Sequence, residues 1–399
     1  MTTTAPVRPG WPGSWVARHL PATLTGTPGV EDLVGLALRD NTRRAHLLVS
    51  RVLGKHVPVH PAEIRSAGLR LGQQVQTLLP PRAPGVVPLV IGYAETATAL
   101  GQCVADALGD AICLHSTRRE TPGIRPAAQF AEAHSHATRH LLAPADPALL
   151  HGDGPVILVD DELTTGATAA ATIRVLHDLH PRRHYVVAAL VDTAGPDWAR
   201  RLAAELGTGI TLAATVQARL DLPADVLDRG HDLAVRHGEP PRASPGAPRV
   251  TRLRPPWPDG LPADARHGFH PADRDRLEAA LPVLTAPVPH GGRLLVLGTE
   301  ELMYTPLRLA GALADRGDDV LFASTTRSPA LPVDTPGYAL RDAVTWTSGE
   351  DGGPRYAYNL VTTAPDAVLL VTDTTVPAGL IAALGAATRH VLVATVGAA

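Results

Sequence analysis

At 399 residues, 45% of them hydrophobic, the chain is long enough for two or three domains with proper cores. Its net charge of −3 excludes a general basic field for nucleic acid, so any anion site must be local. Two cysteines exclude a disulfide framework and suit a reducing cytosol, and no apolar run approaches the ~20 residues of a membrane span.

The first residues, MTTTAPVRPGWPG, lack the apolar core of a secretion signal, and a cytoplasmic location is expected. Residues 30–80 read as helical and short extended segments. Among them is Lys55, the one lysine in 36 basic residues. Either it survives by chance among arginines, or its position needs a compact ammonium.

From residue 86 onward, strands alternate with helices. VVPLVIGY (86–93) reads as a strand and 96–108 as a helix. DAICLHST (110–117) is a strand followed by a polar loop. PVILVDD (155–161) is a strand, 166–179 a helix, HYVVAALVD (184–192) a strand and 196–206 a helix. GITLAATV (209–216) ends this series, and a helix is expected at 223–237. Continuous apolar strands separated by helices indicate a parallel sheet covered on both faces. Ligands of such sheets bind at the carboxyl ends of the strands.

Residues 238–262 are dense in proline and read as a linker or surface arm. A second α/β unit follows, with strands at 293–298, 319–325, 367–373 and 390–396 and helices at 306–317 and 376–388. The expected division is 1–237, 238–262 and 263–399.

The stretch VILVDDELTTGATAAATIRVL (156–176) carries the chemistry. Its turn, Thr164, Thr165, Gly166, Ala167 and Thr168, offers backbone N–H groups, hydroxyls and the start of a helix, a cradle for one phosphate. It is not a Walker-A loop, and no lysine accompanies it. Asp160 and Asp161 would repel a phosphate unless they face something else. Vicinal hydroxyls suit them, because a carboxylate accepts two hydrogen bonds from a diol. The stretch therefore fits a ribose 5-phosphate.

VILVDDELTTGAT resembles the signature of type I phosphoribosyltransferases, which binds 5-phosphoribosyl 1-pyrophosphate (PRPP). IGYAETATALG (91–101) and HSTRRETPG (115–123) resemble two further loops of those enzymes. The resemblance implies that Ala94, Glu95, Thr96 and Ala97 hold pyrophosphate through backbone amides, often across a strained peptide. It also implies that Arg118 and Arg119 lie on a mobile loop that closes over PRPP. Residues 40–61, 131–140 and above all TTRSP (325–329) resemble a narrower family, from about residue 25 to the end. Its members join a phosphoribosyltransferase domain to a domain named for its Thr-Arg-Ser-Pro (TRSP) motif. They are associated with bacterial tellurium-resistance and stress-response gene clusters, thought to make a nucleoside-like metabolite. The implied fold is α/β: a parallel-sheet type I phosphoribosyltransferase domain with a hood, plus a second, Rossmann-like α/β TRSP domain.

The implied reaction displaces pyrophosphate from C1 of PRPP, with Mg²⁺ carried by PRPP and no direct protein ligand set for metal. Hypoxanthine–guanine enzymes carry an aspartate base where Thr164 stands; threonine is closer to the orotate enzymes. Either the acceptor is already anionic or another residue is the base, and Glu162 is the candidate, unless it points to solvent. Hood candidates for an acidic acceptor are Arg43, Arg44, Lys55, His56, His134, His136 and His140. In the second domain, Thr299, Glu300, Glu301, Thr326, Arg327 and Ser328 follow strands where a ligand binds or is processed. The rival readings are a PRPP-binding regulator without turnover and a scaffold. A homodimer is expected by analogy alone.

Overall fold

A computed structural model describes residues 10–39, 44–131, 139–237 and 246–397. Two parallel sheets dominate it. The first holds six strands in the spatial order Thr23–Gly26, Gly209–Asp221, His184–Asp192, Val156–Leu163, Leu89–Gly92, Ile112–His115. Only the Thr23–Gly26 edge runs antiparallel to its neighbour. Val156–Leu163 is central, with Ile157 level with Val90 on one side and Val186 on the other. Val156 to Val159 are fully buried, which explains why this strand is a continuous apolar run rather than an alternating one.

Chain order reverses between Leu89–Gly92 and Val156–Leu163: the former leads outward to Ile112–His115 and the latter to His184–Asp192. Such a reversal leaves a crevice at the carboxyl ends of the two strands. Over that crevice lies the expected hood, a short hairpin of Val34–Leu38 paired with His46–Ser50.

The second sheet is five parallel strands in the order Arg249–Leu253, His390–Thr395, Ala367–Thr372, Arg293–Gly298, Asp319–Ser324. Its first strand corrects the expected linker. Residues 249–253 sit inside the proline-dense stretch, yet they pair along His390–Thr395, because the prolines flank the run and leave its N–H groups available. Residues 238–245 of that stretch lie outside the described residues. The expected strands and helices of both sheets are otherwise present within a few residues of their predicted ends. The helix Pro271–Thr285 and the hairpin of Ala343–Thr347 with Pro354–Tyr358 were not anticipated.

The two sheets are joined by more than a linker. One apolar cluster includes Val90, Leu100 and Val104 of the first unit and Leu277, Tyr304 and Phe322 of the second. Bridges add backbone hydrogen bonds: Val59 exchanges two with Phe322, at 3.0 and 2.8 Å, and Cys113 two with Phe269, at 2.9 and 2.8 Å. The hood hairpin is held likewise, with the Leu38 N–H donating to the Tyr338 hydroxyl at 2.7 Å. Among the described residues, no helix is long and apolar enough to cross a membrane.

Candidate active site

The crevice of the first sheet opens into a cleft of about 250 Å³. Two loops form its floor. One follows Val156–Leu163 and consists of Thr164 to Thr168, leading into the helix Ala167–Leu179. Gly166 has φ +70°, the left-handed region that favours glycine, and a Cβ there would overlap the Trp198 indole. Gly166 itself offers no side-chain cap, and the Thr165 hydroxyl accepts from the Ala167 N–H at 3.3 Å. The remaining first-turn N–H groups and the positive end of the helix dipole make a site suited to an anion. Asp160, Asp161 and Glu162 stand at the end of the strand and line the same cleft. The Asp161 N–H donates to Oδ1 of Asp160 at 2.9 Å, which turns that carboxylate across the strand end.

The second floor loop follows Leu89–Gly92. Tyr93, Ala94, Glu95 and Thr96 line the cleft, and the Ala94–Glu95 peptide is cis. Ala97, expected beside them, does not. It is buried as the cap of the helix Thr98–Leu108, and its N–H is used by the Tyr93 carbonyl at 2.9 Å. The loop is braced from behind: the Ala94 N–H donates to the Ser116 hydroxyl at 2.9 Å, and that hydroxyl bonds Nδ1 of His140 at 2.9 Å. His140 stacks on Phe130 with ring centroids 5.1 Å apart.

The wall above the floor comes from two distant parts of the chain. The hood supplies Arg39, Arg44, Leu47 and Leu48, and His56 follows it. The C-terminal unit supplies Thr326, Arg327, Ser328 and Pro329, the whole Thr-Arg-Ser-Pro motif. The two contributions touch where the Arg39 guanidinium donates to the Ser328 hydroxyl. The motif therefore belongs to the first sheet's cleft rather than to a separate site of its own domain.

Charge in this cleft is finely paired. Arg44 lies 2.8 Å from Glu162. Burial raises the Glu162 carboxyl above its usual 4.5, Arg44 opposes the rise, and Asp161 adds to it. Glu162 thus faces the cleft, not solvent. His56 is pushed down to about 3 by burial, with Lys55 and Arg39 adding repulsion, and is neutral at ordinary pH. His46 behaves the same way, lowered to about 3 by burial and by Arg44 and Arg39.

Several expected residues stand elsewhere. Lys55 does not line the cleft. It is buried beneath the second floor loop, its ammonium 2.7 Å from Oε1 of Glu95 and donating to the Glu300 carbonyl at 2.8 Å. Burial pushes its pKa down, while Glu95 supports the charge. Arg119, expected beside pyrophosphate with Arg118, is drawn away by carboxylates of the second domain: Glu300 at 3.3 Å, Glu350 at 3.4 Å and Asp373 at 3.8 Å. Arg118 does line the cleft. Glu301 is no ligand residue. It is buried, accepting from the Thr117 hydroxyl at 2.6 Å and the Arg118 N–H at 2.9 Å. Thr299 and Glu300 line a second cleft. Arg43, His134 and His136 lie outside the described residues.

Arg327 has no unopposed charge to offer an anion. Its guanidinium lies 2.6 Å from Glu300 and 3.7 Å from Glu95. Burial would raise Glu300, but Arg119, Arg327 and Arg355 hold its carboxyl down to about 2. Sequence reasoning missed Arg39, Tyr93 and Ser116. Only Ser116 carried a signal, as the first residue after a strand end on the cleft side.

No group of three or more His, Cys, Asp or Glu among the described residues is disposed to hold a metal ion. The oxygen donors Asp160 and Asp161 suit a hard cation that a substrate brings with it.

Two family models match the chain. A family described as phosphoribosyl transferase matches residues 33–219. A family described as a TRSP domain, C-terminal to such a transferase, matches residues 263–387. Similar solved structures include adenine phosphoribosyltransferase from Rhodothermus marinus, at 18% identity over 50% of this chain and 99% of that one, TM-score 0.33. The Trypanosoma brucei enzyme, in complex with AMP, pyrophosphate and ribose-5-phosphate, is 12% identical over 46% of this chain and 76% of its own, TM-score 0.33. The Giardia lamblia enzyme with 9-deazaadenine is 14% identical over 45% and 93%, TM-score 0.31. No curated protein matches the chain.

Proposed function

We propose that the cleft transfers the phosphoribosyl group of PRPP to a small acidic acceptor, a reading supported by the match of residues 33–219 to the phosphoribosyl transferase family and of residues 263–387 to the TRSP domain that follows it. The observation that carries this reading is the juxtaposition of two anion-binding loops and an acid pair at the reversal point of one sheet, under a wall built by both domains.

In this reading the amides of Thr164 to Thr168 hold the 5-phosphate, and Asp160 and Asp161 accept the ribose hydroxyls. The amides of Glu95 and Thr96, with the Arg118 guanidinium, hold the pyrophosphate. The bond from C1 to the pyrophosphate oxygen breaks as the acceptor's lone pair forms the new bond from the opposite face. Positive charge develops on the ribose ring beside Asp160 and Asp161, which stabilise it. Little covalent help is needed, and orientation supplies much of the acceleration. Mg²⁺ bound with PRPP would offset the charge of the departing pyrophosphate, with Asp160 and Asp161 on its ribose side.

In this reading Glu162 takes a proton from the acceptor. Its raised pKa makes it a stronger base than an exposed carboxylate, and Arg44 orients it. Thr164 carries no proton-accepting carboxylate, so the base role falls to Glu162. The acceptor side of the cleft combines Leu47, Leu48 and Pro329 with Arg39 and Arg44. That pattern suits a ring carrying an acidic substituent, and the product is a nucleoside-like monophosphate.

The test is pyrophosphate release from PRPP and Mg²⁺ in the presence of carboxylated heterocycles, with products identified by mass spectrometry. Acceptor-dependent release that yields a ribosylated acid supports the reading. Release with uncharged bases alone, or none with any acceptor, contradicts it.

A further inference from the structure

A second cleft, of about 400 Å³, opens at the carboxyl ends of the C-terminal sheet. Chain order reverses there too. Arg293–Gly298 leads to Asp319–Ser324 on one side, while its other neighbour, Ala367–Thr372, leads to His390–Thr395 on the far side. Thr299 and Thr372 stand at that point with hydroxyls 3.5 Å apart. Open α/β sheets hold ligands at such positions, and the volume is in the range of small-molecule pockets, about 300–1,000 Å³.

The lining states what fits. Four charged side chains face the cleft, and they cancel. Arg119 lies 3.3 Å from Glu300 and 3.4 Å from Glu350, and Arg355 lies 2.7 Å from Glu300. No surplus cation remains for a phosphate. Hydroxyls of Thr299, Ser348 and Thr372 supply donors and acceptors, and Trp346 with Leu380 supplies an apolar wall. The buried Nε of Arg119 lies 3.4 Å from a Glu350 carboxylate oxygen, so this guanidinium is held in place by the acids around it. Arg119 reaches this cleft from the first domain, so the site is complete only when both domains are docked.

We propose that this second cleft binds an uncharged ring compound bearing vicinal hydroxyls, of the nucleoside class, between the Trp346 wall and the hydroxyls of Thr299, Ser348 and Thr372. Trp346 faces the ring and the threonine hydroxyls meet the diol. A phosphorylated form is disfavoured, because Glu300 and Glu350 already use the arginines. Glu300 also forms the partition between the two clefts, bonding Arg327 on one side and Arg119 and Arg355 on the other. The inference does not depend on the chemistry of the first cleft.

Calorimetric titration of the full chain with adenosine and with uridine tests it, with and without saturating ribose 5-phosphate. At least one nucleoside is expected to bind, with an affinity changed less than twofold by ribose 5-phosphate. In the presence of ribose 5-phosphate, AMP and UMP are expected to bind at least tenfold more weakly. A Cβ at Gly349, on the rim, meets no atom within 4 Å, so Gly349→Trp can be accommodated while it fills the cleft. It is expected to weaken nucleoside uptake at least tenfold, and Thr375→Trp on the same rim replaces it should it fail to fold. Failure of both nucleosides to bind overturns the inference. So does displacement by ribose 5-phosphate, wild-type uptake in the rim variants, or monophosphates that bind as tightly as nucleosides. A negative result here leaves PRPP turnover in the first cleft intact, and loss of PRPP turnover leaves nucleoside uptake intact, so the two readings fail separately.

Discussion

The ammonium of Lys55 lies 2.7 Å from a carboxylate oxygen of Glu95, with 1% and 6% of the two side chains exposed. The one lysine of the chain thus sits beneath the loop that would cradle pyrophosphate, where it also holds the Glu300 carbonyl of the other domain.

Removing one partner of a buried ion pair leaves the other uncompensated, at a cost of about 3–5 kcal/mol. Lys55→Met is therefore expected to lower stability by about that much, measured by urea unfolding. Lys55→Met combined with Glu95→Gln is expected to recover part of the loss. Equal destabilisation in the single and double variants contradicts the pairing.

As the proposed base, Glu162 is expected to set the pH dependence. Burial raises its carboxyl above 4.5, so the carboxylate needed as base forms only as pH climbs past that value. The acidic limb of kcat/KM is expected above pH 4.5, and Glu162→Gln is expected to remove it. The stability contribution has the same origin. A carboxyl with a raised folded pKa binds more protons when folded, so its contribution falls as pH rises from 4.5 through the folded value. His56 and His46, lowered to about 3, contribute no limb between pH 5 and 8.

Gly166 cannot take a side chain without disturbing the loop of Thr164 to Thr168. At φ +70° a non-glycine residue costs of order 1–3 kcal/mol, before the overlap with Trp198 is relieved. Gly166→Ala is expected to lower the melting temperature and to weaken ribose 5-phosphate binding at least tenfold. Unchanged affinity would remove Thr164 to Thr168 from the phosphate site.

In the proposed reading the TRSP motif forms acceptor wall rather than PRPP floor. Ser328→Leu is expected to raise the acceptor KM at least tenfold while PRPP affinity stays within twofold, read by steady-state kinetics and calorimetry. A loss of PRPP affinity instead would assign the motif to the pyrophosphate side.

The floor of the cleft was legible in the sequence because its signals are local. A run of buried aliphatic residues, two acids, a glycine that must adopt positive φ and a helix all occur within residues 156–179. The walls were not, because tertiary packing decides them. Nothing local to Thr326–Pro329 indicates that it faces a loop some 160 residues earlier; that follows from the bridge of Val59 to Phe322 and the docking of Leu38 on Leu331. Long charged side chains were the least predictable. Arg118 and Arg119 are adjacent, yet the first lines one cleft and the second the other, since Glu300, Glu350 and Asp373 recruit Arg119. The strand 249–253 was hidden because its prolines lie outside the paired residues.

The central claim is that neighbouring carboxylates on one strand end grip the ribose of PRPP while amides at the next helix start hold its phosphate. The most direct measurement is calorimetric titration of PRPP with Mg²⁺ into the protein and into the Asp160→Asn, Asp161→Asn double variant. Hydrogen bonds to charged groups contribute about 1.5–3 kcal/mol each, so the double change is expected to weaken PRPP by roughly a hundredfold or more. No saturable uptake by the unaltered protein, or equal affinity in the variant, would contradict the account.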